Sequence, residues 1–431
     1  MTIQDLIITP IYLFLFTGLA FLIRPMVTTK ETVRFFMPAL LIRFFGAIML
    51  GLIYQFYYDG GDTFNYFTHG SKWIWEAFMD SPELGLKLLL ESGGKVRMPE
   101  TFQYSQYIWY YKDPQSFLVV RIAAIFDIFT LHTYSATALF FAFFSFSGLW
   151  ALFTIVSNRY QRHNVLIPIA ILFIPSVIFW GSGILKDTIT LGALGWFVFA
   201  TYQVIEKKKI NLLNLSIIGL SSLLILSIKP YIVISAVPTM VVWVFWKNII
   251  SIENWALRIM IVPVLGGLFL IIGYLSLNQI SNYSEKYSID AIAQTAAVTA
   301  YDIRYGWGAR TGGDGGYDLG ELDGSWQSML RLMPQAIVVT LFRPFPWEVK
   351  NPLMLLSALE AILISFLTIR MLFNGGFRLI LQDPFLVFCL AFSLLFAFAV
   401  GVSTFNFGTL MRYKIPMMPF YWLALVSKNE K

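Results

Sequence analysis

The feature that most constrains this chain is the recurrence of apolar stretches about as long as a bilayer is thick. A helix crosses a ~30 Å hydrocarbon core with roughly 20 consecutive, mostly apolar residues. Runs poor in Asp, Glu, Lys and Arg fall at 6–23, 35–57 (interrupted by Arg43), 135–157, 164–182, 188–205, 210–228, 231–246, 259–278, 352–373 (interrupted by Glu360 and Arg370), 384–403 and 413–427 (with Lys414 at its rim). Eleven spanning helices are therefore expected, in an all-α, polytopic membrane protein with further interfacial or re-entrant helices. Only 13% of the residues are charged, about half the share a soluble domain needs to face water. The single cysteine, Cys389, excludes an intrachain disulfide framework. The first run lacks a basic n-region and a small-residue cleavage site, so it is expected to be a retained helix.

Positive charge in short connectors sets orientation. Arg24, Lys30, Arg34, Arg159, Arg162, Lys207, Lys208, Lys209, Lys247, Arg258, Arg370, Arg378, Lys428 and Lys431 fall on one face, the cytoplasmic one, if 116–133 does not cross fully. That run contains Arg121 and Asp127, and each would cost about 3 kcal/mol or more at mid-bilayer, so it is read as re-entrant or interfacial. The net charge of +6 then reports topology rather than nucleic-acid binding. A single integral membrane domain over 1–431 follows. Its C-terminus is cytoplasmic, and two long outer loops, 58–115 and 279–334, carry the chain's exposed chemistry.

The first outer loop opens Tyr58-Asp59-Gly60-Gly61-Asp62, at the end of a spanning run. Two carboxylates three residues apart in a glycine-containing turn can serve as a general base, as a divalent-cation site, or simply as a solvated turn. The segments 63–79, 82–91 and 104–111 are rich in Phe, Tyr and Trp. They are expected to lie in the membrane interface, where such rings keep their apolar bodies out of water and their polar tips wet. In the second loop, 304–324 holds eight glycines with Arg304 and Arg310. It reads either as a flap that orders over substrate or as an inert loop. Its acids Asp314, Asp318, Glu321 and Asp323 match no complete calcium-loop spacing, and His69, His132 and His163 form no ligand pattern.

The same topology places Lys186, Lys229, Arg343, Arg412 and Lys414 at outer helix ends, with Tyr231 beside Lys229. Cations there can snorkel to headgroups, pair with loop acids, or bind a lipid-linked phosphate, for which guanidinium offers two parallel donors. On a continuous helix Arg412 and Lys414 would point about 200° apart, so Arg412 is expected to face inward and Lys414 to face lipid.

An early helix, an outer loop opening on an acidic pair, two juxtamembrane segments and basic residues at outer helix ends together resemble the GT-C superfamily of membrane glycosyltransferases, over about residues 35–427. WGSGILKD (180–187) and GTLMRYKIPMMP (408–419) are also similar to bacterial surface-polysaccharide membrane proteins, polymerase-like ones included. The chain departs from the GT-C pattern in its extra first helix, in its DGGD spacing and in lacking a soluble C-terminal domain. The resemblance implies a bacterial cytoplasmic-membrane enzyme with a periplasmic or extracellular active face and a polyprenyl-phosphate or polyprenyl-diphosphate sugar donor. Asp59 or Asp62 would be its acid–base group, with Lys186, Lys229, Arg343, Arg412 and Lys414 on the phosphate and Arg304, Arg310 and Tyr231 near substrate. A polymerase handling lipid-linked oligosaccharide and a non-catalytic envelope subunit stand as alternatives.

Overall fold

The computed structural model describes residues 2–160, 165–252, 267, 291–307 and 316–426. The expected span 259–278 (residue 267 apart), Arg310, Asp314 and His163 lie outside them. The described chain is helical throughout and forms two compact units, Met1–Arg159 with Val177–Lys229, and Tyr160–Ser176 with Pro230–Lys431. Seven described helices are long and apolar enough to cross a membrane: Ile3–Val27, Val33–Phe56, Tyr134–Arg159, Lys186–Ile205, Pro230–Ile250, Pro352–Phe373 and Pro384–Thr404. The chain is a multi-pass membrane protein by that measure. Three more apolar segments are shorter: Leu166–Trp180, Leu212–Ile228 and Met333–Phe342. The last of these was not among the expected spans.

The core of the first unit is the crossing of Tyr134–Arg159 with Lys186–Ile205, flanked by Val33–Phe56 and Leu212–Ile228. Three glycines make that crossing close: a Cβ on Gly148 would stand 1.9 Å from the Gly192 carbonyl oxygen, and one on Gly195 2.2 Å from that of Gly148. Without a hydrophobic drive between helices in lipid, such small-residue contacts let the backbones approach and supply dispersion contact. Ile3–Val27 packs at the edge, and Ile7, Phe14 and Leu22 are left exposed, as suits a lipid-facing surface.

Arg43, Asp127 and Arg121, three charges inside the apolar runs, find polar partners. Arg43, fully buried, donates from Nη1 to the carbonyls of Val177 (2.7 Å) and Gly181 (3.2 Å). It thereby satisfies the carbonyl end of the short Pro175–Trp180 helix, where an orphan acceptor would otherwise be costly. The expected span 164–182 is thus two pieces, Leu166–Leu172 and Pro175–Trp180, interrupted ahead of Pro175, whose ring cannot continue the preceding turn. The doubtful run 116–133 forms a 17-residue helix, Pro114–Thr130, with Asp113 as N-cap and proline at its first position. Asp127 is buried and takes hydrogen bonds from Thr137 Oγ1 (2.6 Å) and His132 Nδ1 (2.9 Å), while Arg121 Nη1 donates to the Glu91 carbonyl.

In the second unit Pro384–Thr404 is central, packed by Pro230–Ile250, Met333–Phe342, Met418–Val426 and Ile292–Tyr301. Asn351-Pro352 and Asp383-Pro384 start their helices by the same capping device as Asp113-Pro114. The run 413–427 is not one helix: Phe407–Tyr413 ends with Lys414 as its C-cap, and Met418–Val426 follows a turn containing Pro416. The expectation of opposite faces for Arg412 and Lys414 fails for that reason. Both are buried, Lys414 at 1% exposure, because Lys414 has left the helical register.

Candidate functional site

The acidic turn is built from three consecutive positive-φ residues, Asp59 (53°), Gly60 (118°) and Gly61 (125°). Side chains avoid that region, which is why glycine stands at two of the three positions. The Gly60 amide donates to the Tyr54 carbonyl (2.8 Å), tying the turn to the end of Val33–Phe56, and the Gly61 carbonyl accepts from Phe64 and Asn65 to start Asp62–Tyr66. A Cβ on Gly61 would meet the Tyr54 ring at 2.7 Å. The turn separates its two carboxylates: Asp59 is exposed, and Asp62 is half-buried, with Oδ1 accepting from the Tyr110 hydroxyl at 3.0 Å.

Lys186 acts on Asp62 at electrostatic range. Its ammonium pairs with Asp113 Oδ2 at 3.3 Å and is also within electrostatic reach of the Asp62 carboxylate and the Lys229 ammonium. Lys229, almost fully buried, is bonded to Asp187 Oδ1 at 2.5 Å, and Asp187 is inaccessible. Three carboxylates and two ammonium groups therefore meet where four helix ends converge: the C-termini of Val33–Phe56 and Leu212–Ile228 and the N-termini of Pro114–Thr130 and Lys186–Ile205. Burial raises the Asp113 pKa, but Lys186, the Ser116 hydroxyl and the Gln115 amide more than offset it and hold this carboxyl below its ordinary value of 3.8. Asp113 is thus an anion at neutral pH, paired with Lys186, and Asp62 acts on the same ammonium at longer range. Lys186, so placed, can meet an incoming phosphate by exchanging protein carboxylate for ligand oxygens.

The other expected cations belong to the second unit. Arg343 forms a two-point ion pair with Glu348, Nε to Oε2 at 3.0 Å and Nη2 to Oε1, and its guanidinium lies 5.1 Å from the Phe407 ring. Burial raises the Glu348 pKa, and Arg343 with the Phe345 amide brings it below its ordinary value. Arg304 donates to the Tyr317 carbonyl and pairs with Asp318, both at 3.1 Å. Tyr317 itself is buried, its hydroxyl near the Gly401 carbonyl (2.9 Å) and the Thr404 hydroxyl (2.6 Å), and Gly316 bridges to Asn406. The described part of the glycine-rich loop is thereby strapped to the end of Pro384–Thr404. Arg412 is buried beside the Tyr413 ring, and Tyr231 packs against Phe396. Lys414 donates to the Thr340 carbonyl at 3.2 Å and faces Glu360, whose carboxylate accepts from the Ser176 amide (3.0 Å) and hydroxyl (2.8 Å).

Among the expected site residues, Asp62, Lys186 and Lys229 are brought into one cluster. Tyr110 and Asp113 were not anticipated there, nor Asp187 as the partner of Lys229. Asp113 carries the one sequence signal that could have found it, an Asp-Pro helix start at the end of the outer loop. Among the described residues no three His, Cys, Asp or Glu side chains gather as a metal site, and the Asp59–Asp62 pair is divided by exposure. No family model, curated protein or solved structure matches this chain.

Proposed function

We propose that this protein is a membrane glycosyltransferase that takes a sugar from a polyprenyl-phosphate or polyprenyl-diphosphate carrier at the outer face of the bacterial cytoplasmic membrane. About eleven crossings and a cytoplasmic C-terminus go with that reading, as does the resemblance to the GT-C superfamily. The observation that carries it is the half-buried Asp62 carboxylate, held by Tyr110, in one charge cluster with Lys186. In the transfer, Asp62 accepts the proton of an acceptor hydroxyl, whose oxygen bonds to the anomeric carbon. The bond from that carbon to the carrier phosphate breaks, and its electron pair leaves on the phosphate oxygen, opposite the Lys186 charge. Lys229, locked to Asp187, contributes fixed positive charge rather than a mobile contact. Arg412, Arg343 and Arg304 belong to the second unit and take no part in this step.

The test is transfer from a labelled polyprenyl-phosphate sugar in isolated membranes. Asp62→Asn should abolish it and Asp59→Asn should retain most of it. Wild-type activity in Asp62→Asn removes this reading, and product length separates single addition from polymerisation.

A further inference from the structure

The segment 104–111, dense in aromatic residues, continues past Tyr110 into a surface that the charge cluster does not use. Tyr107 lies in the turn after Phe102–Ser105 and Trp109 opens the short helix Trp109–Lys112, with the buried Ile108 between them. Each ring is backed on one face only. His69 lies on Trp109 at 3.9 Å with 4° between planes, and Trp73 lies on Tyr107 at 4.5 Å with 25°. His69 and Trp73 are four residues apart on a continuous helical stretch, Phe67–Ser71 into Lys72–Asp80, which sets the two stacks side by side. The outer faces stay open: Trp109 is 62% exposed and Tyr107 49%. The two backing residues sit about one helical turn apart, roughly 5–6 Å between Cβ atoms.

The rims of these rings are polar. Lys72 lies over Trp73 at 5.1 Å and pairs with Glu76, and the Gln103 and Gln106 amides are exposed nearby. Burial, helped by the Lys72 charge, lowers the His69 pKa from 6.5, so at neutral pH an uncharged imidazole backs Trp109. The next residue, Tyr110, delivers its hydroxyl to Asp62. Elsewhere the same loop exposes aliphatic and phenyl groups, Leu86, Leu90, Val96, Met98 and Phe102, which suit lipid. A flat, one-sided aromatic pair with a polar rim suits something else: the CH face of a pyranose ring packs on such a plane while its hydroxyls reach amides and charges.

We infer that Tyr107 and Trp109 form a two-ring platform for the acceptor saccharide, leading it through Tyr110 to the Asp62 carboxylate. This rests on the transferase reading above and names its acceptor class as a carbohydrate of at least two sugar units. The rings set acceptor affinity and take no part in the chemistry.

The experiment uses the full chain in lipid nanodiscs, titrated with neutral tetrasaccharides of glucose, galactose, mannose and N-acetylglucosamine and read by saturation-transfer NMR. At least one is expected to bind saturably. Trp109→Ala and Tyr107→Ala should each weaken it about tenfold and Trp109→Phe only about threefold, as expected for loss or trimming of one aromatic stack. A nitroxide on Trp109→Cys, in a Cys389→Ser background, should read as water-accessible. Absence of binding by the wild type, equal affinity in the alanine variants, or a lipid-buried nitroxide would overturn the platform, the last assigning these rings to membrane anchoring. Asp62→Asn should lose transfer while its saccharide affinity stays near wild type. Transfer lost in Asp62→Asn with unaltered binding in Trp109→Ala sinks the platform and spares the transferase. Saccharide binding dependent on Trp109 in a protein that transfers from no polyprenyl donor supports the platform alone.

Discussion

The first unit keeps Lys186 partly open, paired with Asp113 and within electrostatic reach of Asp62 at the ends of four helices. The second seals Lys414 at 1% exposure, its ammonium on the Thr340 carbonyl and its charge facing Glu360 inside the Pro352–Phe373 helix. Both arrangements neutralise a lysine, and they differ in what can reach it. A sealed pair whose remaining acceptors are filled by Ser176 offers no site to a ligand, and its loss leaves a bare charge in a low-dielectric interior. An open cluster costs less to disturb and can trade partners. Lys414 is accordingly better placed as an internal counter-charge than as a phosphate ligand, and Lys186 the reverse.

The contrast is broken most sharply at Asp62. Asp62→Asn should lower transfer by about 10²–10⁴-fold, the usual contribution of a positioned base, while the exposed Asp59 tolerates the same change. Comparable losses in both would mean that the turn as a whole, and not its half-buried carboxylate, carries the chemistry. Next comes the sealed pair. Glu360→Ala or Lys414→Ala should each cost about 3–5 kcal/mol by stranding its partner, read as a fall in the thermal midpoint in detergent. The double variant Glu360→Gln with Lys414→Met should recover most of that. Lys186→Ala, by contrast, should cost less, because the Asp113 side chain it leaves behind is 46% exposed to solvent. Equal destabilisation by Lys186→Ala and Lys414→Ala would erase the distinction between open and sealed.

A smaller effect is expected at the crossing that carries Lys186. Gly148→Leu must push Tyr134–Arg159 away from Gly192, where even a Cβ would stand at 1.9 Å, and overpacking of this kind costs about 1–3 kcal/mol. Gly219, with nothing within 4 Å of a built Cβ, should accept alanine without change, and the pair of unfolding midpoints checks both. The smallest effect is the acid response of Asp113. Its folded pKa lies below its ordinary 3.8. Its stabilising contribution is therefore complete above that value and disappears as pH falls through the folded one. Wild type should lose stability below about pH 3.8 more steeply than Asp113→Asn. Parallel acid profiles would show that Lys186 does not hold Asp113.

Seven of the eleven apolar runs correspond closely to single long helices. The runs 164–182 and 413–427 are continuous by apolar length, but Pro175 and Pro416 stand inside them, and the backbone donor each proline removes interrupts the helix there. At the candidate site, Asp62, Lys186 and Lys229 were legible as charges at helix ends. Tyr110, Asp113 and Asp187 were not legible as their partners, since nothing in a one-dimensional pattern says which ends meet.

Composition alone decided that this chain belongs in a bilayer and roughly where it crosses, because the transfer free energy of some twenty residues is a sum over the residues themselves. Pairing is not such a sum. Lys186 finds Asp113 across 73 residues and Ser176 finds Glu360 across 184. Whether a lysine ends open beside a carboxylate or sealed against one depends on which helices pack together and how closely their glycines let them approach. Only the tertiary structure decided that.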